Sequence, residues 1–287
     1  MSSEKNKVVG GTLYLVATPI GNLADISERA VKVLTEADFI AAEDTRNSLR
    51  LLSALGIKNE LVSYHEHNKK ASGERLVARL LSGESCALIT DAGMPAISDP
   101  GEDIVKLCAD AGITVSVIPG ACAAVSALSV SGLATGKFVF EGFLSATKSE
   151  RKKQLDALKN EHRTIIFYEA PHKLKATLSD MCECFGGDRK ISLCREITKL
   201  NEEIQRTTLE NALAYYTATE PRGEYVLVVE GFSGIAISEE TESLINMTPE
   251  EHVKFYENQG IARMDAMKKA AKDRGMSKSE LYKILNT

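Results

Sequence analysis

Three segments rich in glycine, proline and small residues contain the residue types from which ligand sites are built. They are residues 17–26, 90–101 and 119–124, and each follows a short apolar run. Glycine lets the backbone approach a ligand closely, so that its N–H and C=O groups become available for hydrogen bonds. Ligands of open parallel sheets bind beyond the carboxyl ends of the strands. The three segments therefore predict one small-molecule site at such an edge.

Two common ligand classes and a metal ion are disfavoured by the motifs. None of the three segments reads Gly-x-Gly-x-x-Gly, and none is a phosphate-binding loop ending in Gly-Lys-Ser/Thr. A nicotinamide dinucleotide and a nucleoside triphosphate are therefore not expected. His65 and His67 are two residues apart and have no third ligand nearby in the sequence, so we expect no metal site.

The three loops lie in a region where short apolar segments alternate with segments of helical pattern, and these elements are expected to position the loops. The predicted strands are residues 12–17, 39–42, 86–90, 114–118, 163–168, 191–194, 203–207 and 224–230. Apolar strands in this alternation are typical of an α/β protein whose mostly parallel sheet is covered on both faces. A polar, charged break at residues 141–153 suggests a domain junction, so we expect α/β domains at residues 10–140 and 141–235.

The last part of the chain has a different character. Gly260 and Gly275 separate three short helical segments, residues 249–258, 263–272 and 277–285. Three short helices with glycine turns predict a helix-turn-helix-like module over residues 245–287. The alternative is a helical tail that packs on the body or on a second copy of the chain.

The distribution of charge suggests a partner for this module. The net charge of the chain is −5, but residues 261–287 contain seven basic and three acidic residues. The tail thus carries +4 and the rest of the chain −9, which suggests an anionic partner for the tail, although a solvated helix face would have a similar composition.

Composition limits the remaining possibilities. Hydrophobic residues make up 44% and charged residues 26%, values typical of a globular protein. No apolar run approaches the ~20 residues of a membrane helix, and residues 1–7 contain no signal core. The six cysteines include no Cys-x-x-Cys pair and are expected to be reduced thiols of a cytoplasmic protein.

Seven stretches of the chain, in order, resemble the motifs of the tetrapyrrole methylases, and in particular the ribosomal RNA branch of that family. They are Thr18-Pro19-Ile20-Gly21-Asn22-Leu23, Glu43-Asp44-Thr45-Arg46, residues 91–101, Pro119-Gly120, residues 167–172, residues 195–199 and Gly223-Glu224-Tyr225. The resemblance extends from about residue 11 to residue 231, and the helical tail also resembles the terminal module of that branch. One departure is Cys122, where the family commonly has serine.

The resemblance implies two α/β domains of the tetrapyrrole methylase type with a C-terminal helical module, assembled as a homodimer. It implies that S-adenosylmethionine lies in the cleft between the domains and donates a methyl group to the ribose 2′-hydroxyl of a cytidine in small-subunit ribosomal RNA. The residues that it assigns to the cofactor site are Pro19, Asp91, Gly93, Met94, Pro95, Ile97, Cys122, Ala123 and Tyr168.

Methyl transfer from a sulfonium is an in-line displacement, so the protein must hold the acceptor oxygen on the S–C axis. A ribose hydroxyl is a weak acid, and a base or a cation near the developing alkoxide would assist. The candidate groups are Asp25, Glu43, Glu169, Lys173, Arg195, Glu196 and Lys199. We expect Arg195 and Lys199 to contact phosphate or ribose, and the base stays unassigned.

Two other functions remain open at this point. The same fold accepts a tetrapyrrole substrate, although a small macrocycle needs no basic helical tail. A ribosome-assembly factor that binds RNA without catalysis is the second alternative, and the intact set of cofactor loops speaks against it.

Overall fold

The computed structural model describes residues 7–234, 244–274 and 276–285. The chain divides into two compact units, Met1–Gly231 and Phe232–Thr287. The first unit contains two five-stranded sheets, and the second contains helices. The α/β fold class predicted from the sequence is confirmed.

The first sheet is entirely parallel and has the strand order β3-β2-β4-β1-β5. Its strands are β1 (Thr12–Val16), β2 (Phe39–Ala42), β3 (Leu61–Ser63), β4 (Cys86–Ile89) and β5 (Thr114–Ile118). All residues of β2 and β4 are buried, because helices cover both faces of the sheet.

Four helices cover the two faces of the first sheet. They are α1 (Glu28–Glu36), α2 (Thr45–Ala54), α3 (Lys69–Leu81) and α4 (Gly101–Asp110). The first two pack on one face of the sheet, where Leu34 and Leu52 are buried beside Ile40. The other two cover the opposite face, where Leu76 and Ile104 are buried.

The second sheet is mixed and has the strand order β6-β7-β10-β8-β9. Its strands are β6 (Phe138–Phe143), β7 (Thr164–Glu169), β8 (Lys190–Arg195), β9 (Glu203–Thr208) and β10 (Tyr225–Val229). Only β6 and β7 are parallel, and the other pairs are antiparallel. One face is covered by α6 (Lys148–Leu158), α7 (Pro171–Phe185) and α8 (Leu209–Ala218).

Two edge strands were not predicted from the sequence. The first, β3, has only three residues, all half-buried. The second, β6, is partly exposed and is interrupted by a bulge at Gly142, so its residues resemble a polar break. Since β6 begins at Phe138, the second sheet starts three residues before the boundary expected at residue 141.

The remaining face of the second sheet is covered by α5 (Ala123–Val130), which follows the last strand of the first sheet. Its small side chains Ala124 and Ala127 are buried against Ile166, Cys194 and Val226 of the second sheet. α5 therefore follows the first sheet in the chain and packs its apolar face on the second.

The helical unit contains α9 (Pro249–Asn258), α10 (Arg263–Asp273) and α11 (Lys278–Leu285), as the glycine spacing predicted. Thr248 and Glu251 form a capping box at the start of α9. Val253, Met267 and Leu281, one from each helix, are buried in a common core.

A buried histidine lies beside this core. The Nε–H group of Arg274 donates to Nδ1 of His252 at 3.1 Å, and Nε2 of His252 lies 3.4 Å from the carboxylate of Asp273. That carboxylate also accepts from Tyr256, whose ring lies under the Lys269 ammonium. Because Nδ1 is an acceptor, the imidazole is neutral and its proton is on Nε2.

This arrangement predicts a helical unit whose stability depends on pH. Burial, and then the charge of Arg274, hold the pKa of His252 below its ordinary value of 6.5, against the attraction of Asp273. The unfolded chain binds the proton at higher pH than the folded one, so stability is complete above pH 6.5 and falls below it. Hydrogen exchange of the α9 amides from pH 7 to about pH 5 should show this loss.

The His252→Gln variant is the control, because glutamine fills a similar space and takes up no proton in this range. It is expected to be less stable at neutral pH and to show a flatter pH dependence. An equally steep pH dependence in both proteins would assign the effect to another group.

Candidate active site

A cavity of about 570 Å³ lies where the loops after β1, β4 and β5 face the second sheet. Its volume falls within the range of small-molecule sites. One wall comes from the first half of the unit, including Ile20, Asp91 and Ala123, and the other comes from the second half, including Tyr168 and Glu196. A ligand there contacts both sheets.

The first two loops are held together by a short backbone bridge. The N–H of Thr18 donates to the carbonyl of Gly93 at 2.9 Å, and the N–H of Gly93 donates back at 3.1 Å. Gly93 has φ +85°, and a Cβ there would lie 3.1 Å from Cγ2 of Ile20 and 3.3 Å from the carbonyl of Ala121. Glycine is therefore required at the point where all three loops meet.

The second loop is shaped by Asp99. Its carboxylate accepts from the N–H groups of Ala96 at 3.0 Å and of Gly101 at 2.7 Å, at the start of α4. Ala96 and Ser98 have positive φ angles of 68° and 61°, which side chains other than glycine seldom adopt. The hydrogen bonds to Asp99 offset this strain and keep the loop turned against the cavity.

Asp91 connects the cavity to the start of α2. Its carboxylate accepts from the N–H of Asp44 at 3.3 Å and from the side-chain amide of Asn47 at 3.2 Å. Beside it, the hydroxyl of Thr90 donates to Glu43 at 2.9 Å. Two carboxylates, Glu43 and Asp91, therefore line the cavity, and neither forms an ion pair with a lysine or arginine in the part of the chain that the structure describes.

Tyr168 links the second sheet to the start of α5. Its hydroxyl oxygen accepts from the N–H of Ala124 at 3.3 Å, and its ring contacts the rings of Phe140 and Phe143. Burial raises the pKa of Tyr168 to about 12, so the phenol is neutral at physiological pH. Its hydroxyl fixes the beginning of the helix on which the third loop ends.

Glu169 is a buried carboxylate at the end of β7. It accepts from the N–H of Ala170 at 2.8 Å and from the hydroxyl of Thr177 at 2.5 Å, and the Lys173 ammonium lies 3.3 Å away. These contacts supply the hydrogen bonds and the ion pair that a buried carboxylate requires. Its partners hold the first turn of α7, which begins at Pro171, against the cavity wall.

The loop between β8 and β9, residues 196–202, forms one side of the cavity mouth. We name this segment the hairpin loop. The Lys199 ammonium contacts Glu196 at 2.9 Å and Glu224 at 2.8 Å. Burial lowers the pKa of Lys199, but these two carboxylates outweigh it and the net shift is upward. Burial raises the pKa of Glu196, but hydrogen bonds from the Glu224 N–H and from Lys199 lower it by more, so the net shift is downward and the carboxyl stays charged.

The hairpin loop contacts the first loop at Gly21. A Cβ at Gly21 would overlap the side chain of Lys199 and lie 2.8 Å from the hydroxyl of Thr198. Glu196 and Thr198 also have positive φ angles, 51° and 67°. The two halves of the unit therefore meet at the mouth of the cavity in a tightly constrained contact.

Most residues that the resemblance assigned to the site lie together. Those that line the cavity are Asp91, Gly93, Met94, Ile97, Cys122, Ala123 and Tyr168, and Lys199 lines it as well. Pro19 is not among the lining residues, and its neighbour Ile20 is. Pro95 is buried within the second loop and does not line the cavity either.

Arg195 also lies outside the cavity lining. Side chains alternate along β8, so Arg195 points away from the face on which Cys194 contacts α5. Its guanidinium pairs with Glu203 of β9 at 2.9 Å. The residues before and after it, Cys194 and Glu196, do line the cavity, so the motif containing Arg195 is at the site even though its arginine is not.

Sequence reasoning did not assign several other lining residues to the ligand site. Examples are Asp99, His172 and Glu224, and all three belong to motifs that carried the family resemblance. The motif boundaries were the signal that would have found them, because whole motifs, rather than selected residues, form the wall.

Two searches of the described part of the chain bear on other site types. Residues 7–234, 244–274 and 276–285 contain no cluster of three or more His, Cys, Asp or Glu side chains arranged to hold a metal ion. Within the same ranges, no helix is both long enough and apolar enough to span a bilayer.

The hydrogen bond between the Tyr168 hydroxyl and α5 should contribute measurably to the free energy of unfolding of this unit. Tyr168→Phe removes the acceptor of the Ala124 N–H while keeping the ring, and should lower the free energy of unfolding by about 1 kcal/mol. Urea denaturation would measure it. Tyr215→Phe is the control, since Tyr215 is 46% exposed and its loss of a hydroxyl should have almost no effect. Equal shifts for both variants would contradict this role of the hydroxyl.

Comparison with known proteins identifies the family to which the chain is similar. The family model for tetrapyrrole (corrin/porphyrin) methylases matches residues 12–213. The chain is 48% identical to the ribosomal RNA small subunit methyltransferase I of Bacillus subtilis (strain 168), over 95% of this chain and 93% of that protein. It is 44% identical to the protein of the same name from Synechocystis, over 96% of this chain and 97% of that one.

Solved structures share the fold at much lower identity. A uroporphyrin-III-C-methyltransferase from Thermus thermophilus aligns with a TM-score of 0.55 and 22% identity, over 76% of this chain and 94% of that one. Another structure of that enzyme, complexed with S-adenyl homocysteine, aligns with a TM-score of 0.56 and 17% identity, over 76% and 97% of the two chains. Both likenesses concern the arrangement of the two sheets.

Proposed function

This chain belongs to the tetrapyrrole methylase family, and we propose that it transfers a methyl group from S-adenosylmethionine to small-subunit ribosomal RNA. The observation that carries the proposal is an identity of 48% over nearly the whole chain with a protein named for that activity, together with an intact cavity at the matching motifs. Relatives of the same name in other bacteria support it.

The charge of the cavity suits this cofactor. The carboxylates that line it are Glu43, Asp91, Asp99, Glu169, Glu196 and Glu224. Lys199 is the one lysine or arginine among the lining residues of this cavity. S-adenosylmethionine has a sulfonium, an ammonium and a single carboxylate, so its net charge is positive and complements an acidic wall. Its neutral product, which has lost the sulfonium charge, gains less from the same wall.

We propose that the cofactor's parts divide along the loops. Asp91 and the backbone carbonyls of the second loop accept from the ammonium, and Ile97 and Ala123 form apolar walls for the adenine. Gly93, Met94, Cys122 and Tyr168 complete the pocket. Pro19 and Pro95 shape the loops from outside the lining, and Cys122, the small residue that replaces serine, leaves the space unchanged.

We further propose that the acceptor is the ribose 2′-hydroxyl of a cytidine. Glu196 and Glu224 hold the Lys199 ammonium at the mouth of the cavity. We propose that from this position it contacts a phosphate or the ribose of the RNA. The main catalytic effect of the protein is then to hold the ribose hydroxyl on the S–C axis of the cofactor. Arg195, paired with Glu203, holds the strand before the hairpin loop instead of reaching the ribose.

We propose that the helical module predicted over residues 245–287 docks the RNA. Lys268, Lys269 and Lys272 are exposed on α10, and their spacing of three and four residues puts them on one side of the helix. Lysines on such a face gain affinity by displacing counterions from phosphates.

A homodimer in the cytoplasm completes the proposal. Apolar side chains are exposed on the edge strands β5 and β6 and on α5, namely Val117, Val125, Val130 and Phe138. Exposed apolar surface on edge strands is typical of faces that another chain covers. The six cysteines are free thiols, as a reducing compartment requires.

Methylation of purified small ribosomal subunits tests the activity. Subunits from cells that lack this protein should accept a labelled methyl group from S-adenosylmethionine, and nuclease mapping should locate the label on one cytidine ribose. Transfer to a tetrapyrrole instead would identify a different substrate, and binding to subunits without transfer would indicate an assembly factor.

Gly93→Val tests the cofactor site. The change adds a side chain where φ is +85° and where Ile20 and Ala121 are already close, so it should weaken S-adenosylmethionine binding at least tenfold, about 1.4 kcal/mol. Calorimetric titration measures the affinity. Gly136→Val is the control, because no atom lies within 4 Å of a Cβ at Gly136. Unchanged affinity in a folded Gly93→Val protein would remove this loop from the site.

Replacing Lys268, Lys269 and Lys272 by glutamine tests the docking module. Methylation of small subunits should fall, and the dependence of subunit binding on salt should become shallower, because fewer counterions are released. Cofactor affinity should not change. A second triple variant, of the exposed Lys58, Lys70 and Lys106, loses the same charge from the other unit. Equal losses in both variants would mean that only net charge matters.

A further inference from the structure

One leucine is fully exposed at the tip of the hairpin loop. Leu200 is 100% exposed, and the next most exposed large hydrophobic side chain in the described residues, Leu81, is 63% exposed. Burying a leucine side chain yields a favourable free energy, and Leu200 obtains none of it from residues 7–234, 244–274 and 276–285. Its neighbour Lys199 lines the cavity, so the leucine lies beside the cavity mouth.

The loop that presents this leucine is held firmly. The N–H of Lys199 donates to the carbonyl of Glu196 at 2.9 Å, and the N–H of Glu202 donates to the carbonyl of Lys199 at 3.1 Å. The Glu202 carboxylate accepts from the N–H of Thr198 at 2.6 Å. Together with the ion pairs of Lys199, these bonds fix the backbone on both sides of Leu200. An exposed apolar side chain on a loop so constrained is suited to contacting a partner without first having to be ordered.

The charges around the loop indicate which part of an RNA meets the leucine. The hairpin loop itself contains Glu196 and Glu202, Glu224 pairs with its Lys199, and the lining of the cavity beside it is acidic. Phosphates are repelled by such a surface except at Lys199, whereas the face of a nucleobase is uncharged and apolar. A nucleobase is therefore the RNA group that complements Leu200.

The proposed reaction leaves a nucleobase next to the acceptor nucleotide without a stacking partner. For a ribose hydroxyl to enter a cavity of about 570 Å³ that also holds the cofactor, its nucleotide must leave the surrounding stack. The flanking base then loses one stacking partner, which is unfavourable. Apolar side chains inserted between bases offset that cost in other proteins that deform nucleic acids.

We infer that Leu200 is a wedge that packs against the base next to the methylated nucleotide and takes the place that this nucleotide leaves in the stack. The inference rests on the proposed ribosomal RNA substrate. It makes Leu200 a positioning residue, which touches the RNA beside the acceptor and neither the cofactor nor the reacting oxygen.

The experiment compares Leu200→Ser with Leu200→Met in the full chain, on small subunits that lack the methyl group. The serine variant should lose at least tenfold in kcat/KM, with kcat itself reduced, because the nucleotide is extruded less often. The methionine variant should stay within about threefold of the unchanged protein, since its side chain is also long and apolar. S-adenosylmethionine affinity and the melting temperature should be the same in all three proteins.

Leu81→Ser is the matched control. Leu81 is an exposed leucine at the end of α3, which precedes β4 and thus lies at the sheet edge opposite the cavity loops. This variant should methylate at the full rate. A loss equal to that of Leu200→Ser would attribute the effect to surface hydrophobicity in general and overturn the wedge.

The other outcomes separate the wedge from the proposed function. If the unchanged protein methylates small subunits and Leu200→Ser does so at the same rate, the wedge is wrong and the function stands. If the unchanged protein transfers no methyl group to these subunits, the proposed function fails and the wedge with it. If Leu200→Ser weakens self-association in sedimentation, a second copy covers the leucine and the wedge is wrong.

Discussion

The packing of α5 on the second sheet is the interaction on which the rest of the first unit depends. The helix begins directly after the third cavity loop, and its residues Ala124 and Ala127 lie against Ile166 and Val226. Small side chains let the helix axis approach the sheet closely, so a larger residue at either position would push the two halves apart. The width of the cavity is thus set by a few alanine contacts outside it.

Two loops that contribute to the cavity wall contain strained backbone. Ala96, Ser98, Glu196 and Thr198 all have positive φ angles, and they come from the second loop and the hairpin loop. Such conformations cost about 1–3 kcal/mol each and persist only where the surroundings enforce them. Here the enforcing groups are the carboxylates of Asp99, Glu196 and Glu202, which accept from backbone N–H groups. Acidic residues therefore shape the site as well as charging it.

The sequence predicted the fold class and family because those depend on patterns that many residues share. Fully buried strands such as β4 stand out as apolar runs, and the glycine loops that follow them stand out by composition. It failed at β6, whose half-exposed residues and bulge at Gly142 have no simple period. Strand pairing depends on partners distant in the sequence, and no local pattern encodes it.

The choice of Arg195 shows a second limit. A motif locates a segment but does not fix where each of its side chains points: Arg195, at the end of β8, pairs with Glu203, whereas Lys199, in the hairpin loop, lines the cavity. The assignment of individual residues to the cofactor or the RNA remains a prediction. The loops themselves, which lie together in the structure, were evident from the spacing of glycine and proline.

The cavity is lined by residues as far apart in the chain as Ile20 and Val226, so it exists only after both sheets have formed and docked. A molecule that binds there binds the docked state alone, and mass action then stabilises it, by about 2.7 kcal/mol at a concentration one hundred times the Kd. The lifetime of this protein against cellular proteases should therefore follow the supply of its small ligand. A cell short of that metabolite would therefore contain less of the protein, in addition to having less ligand for it to bind.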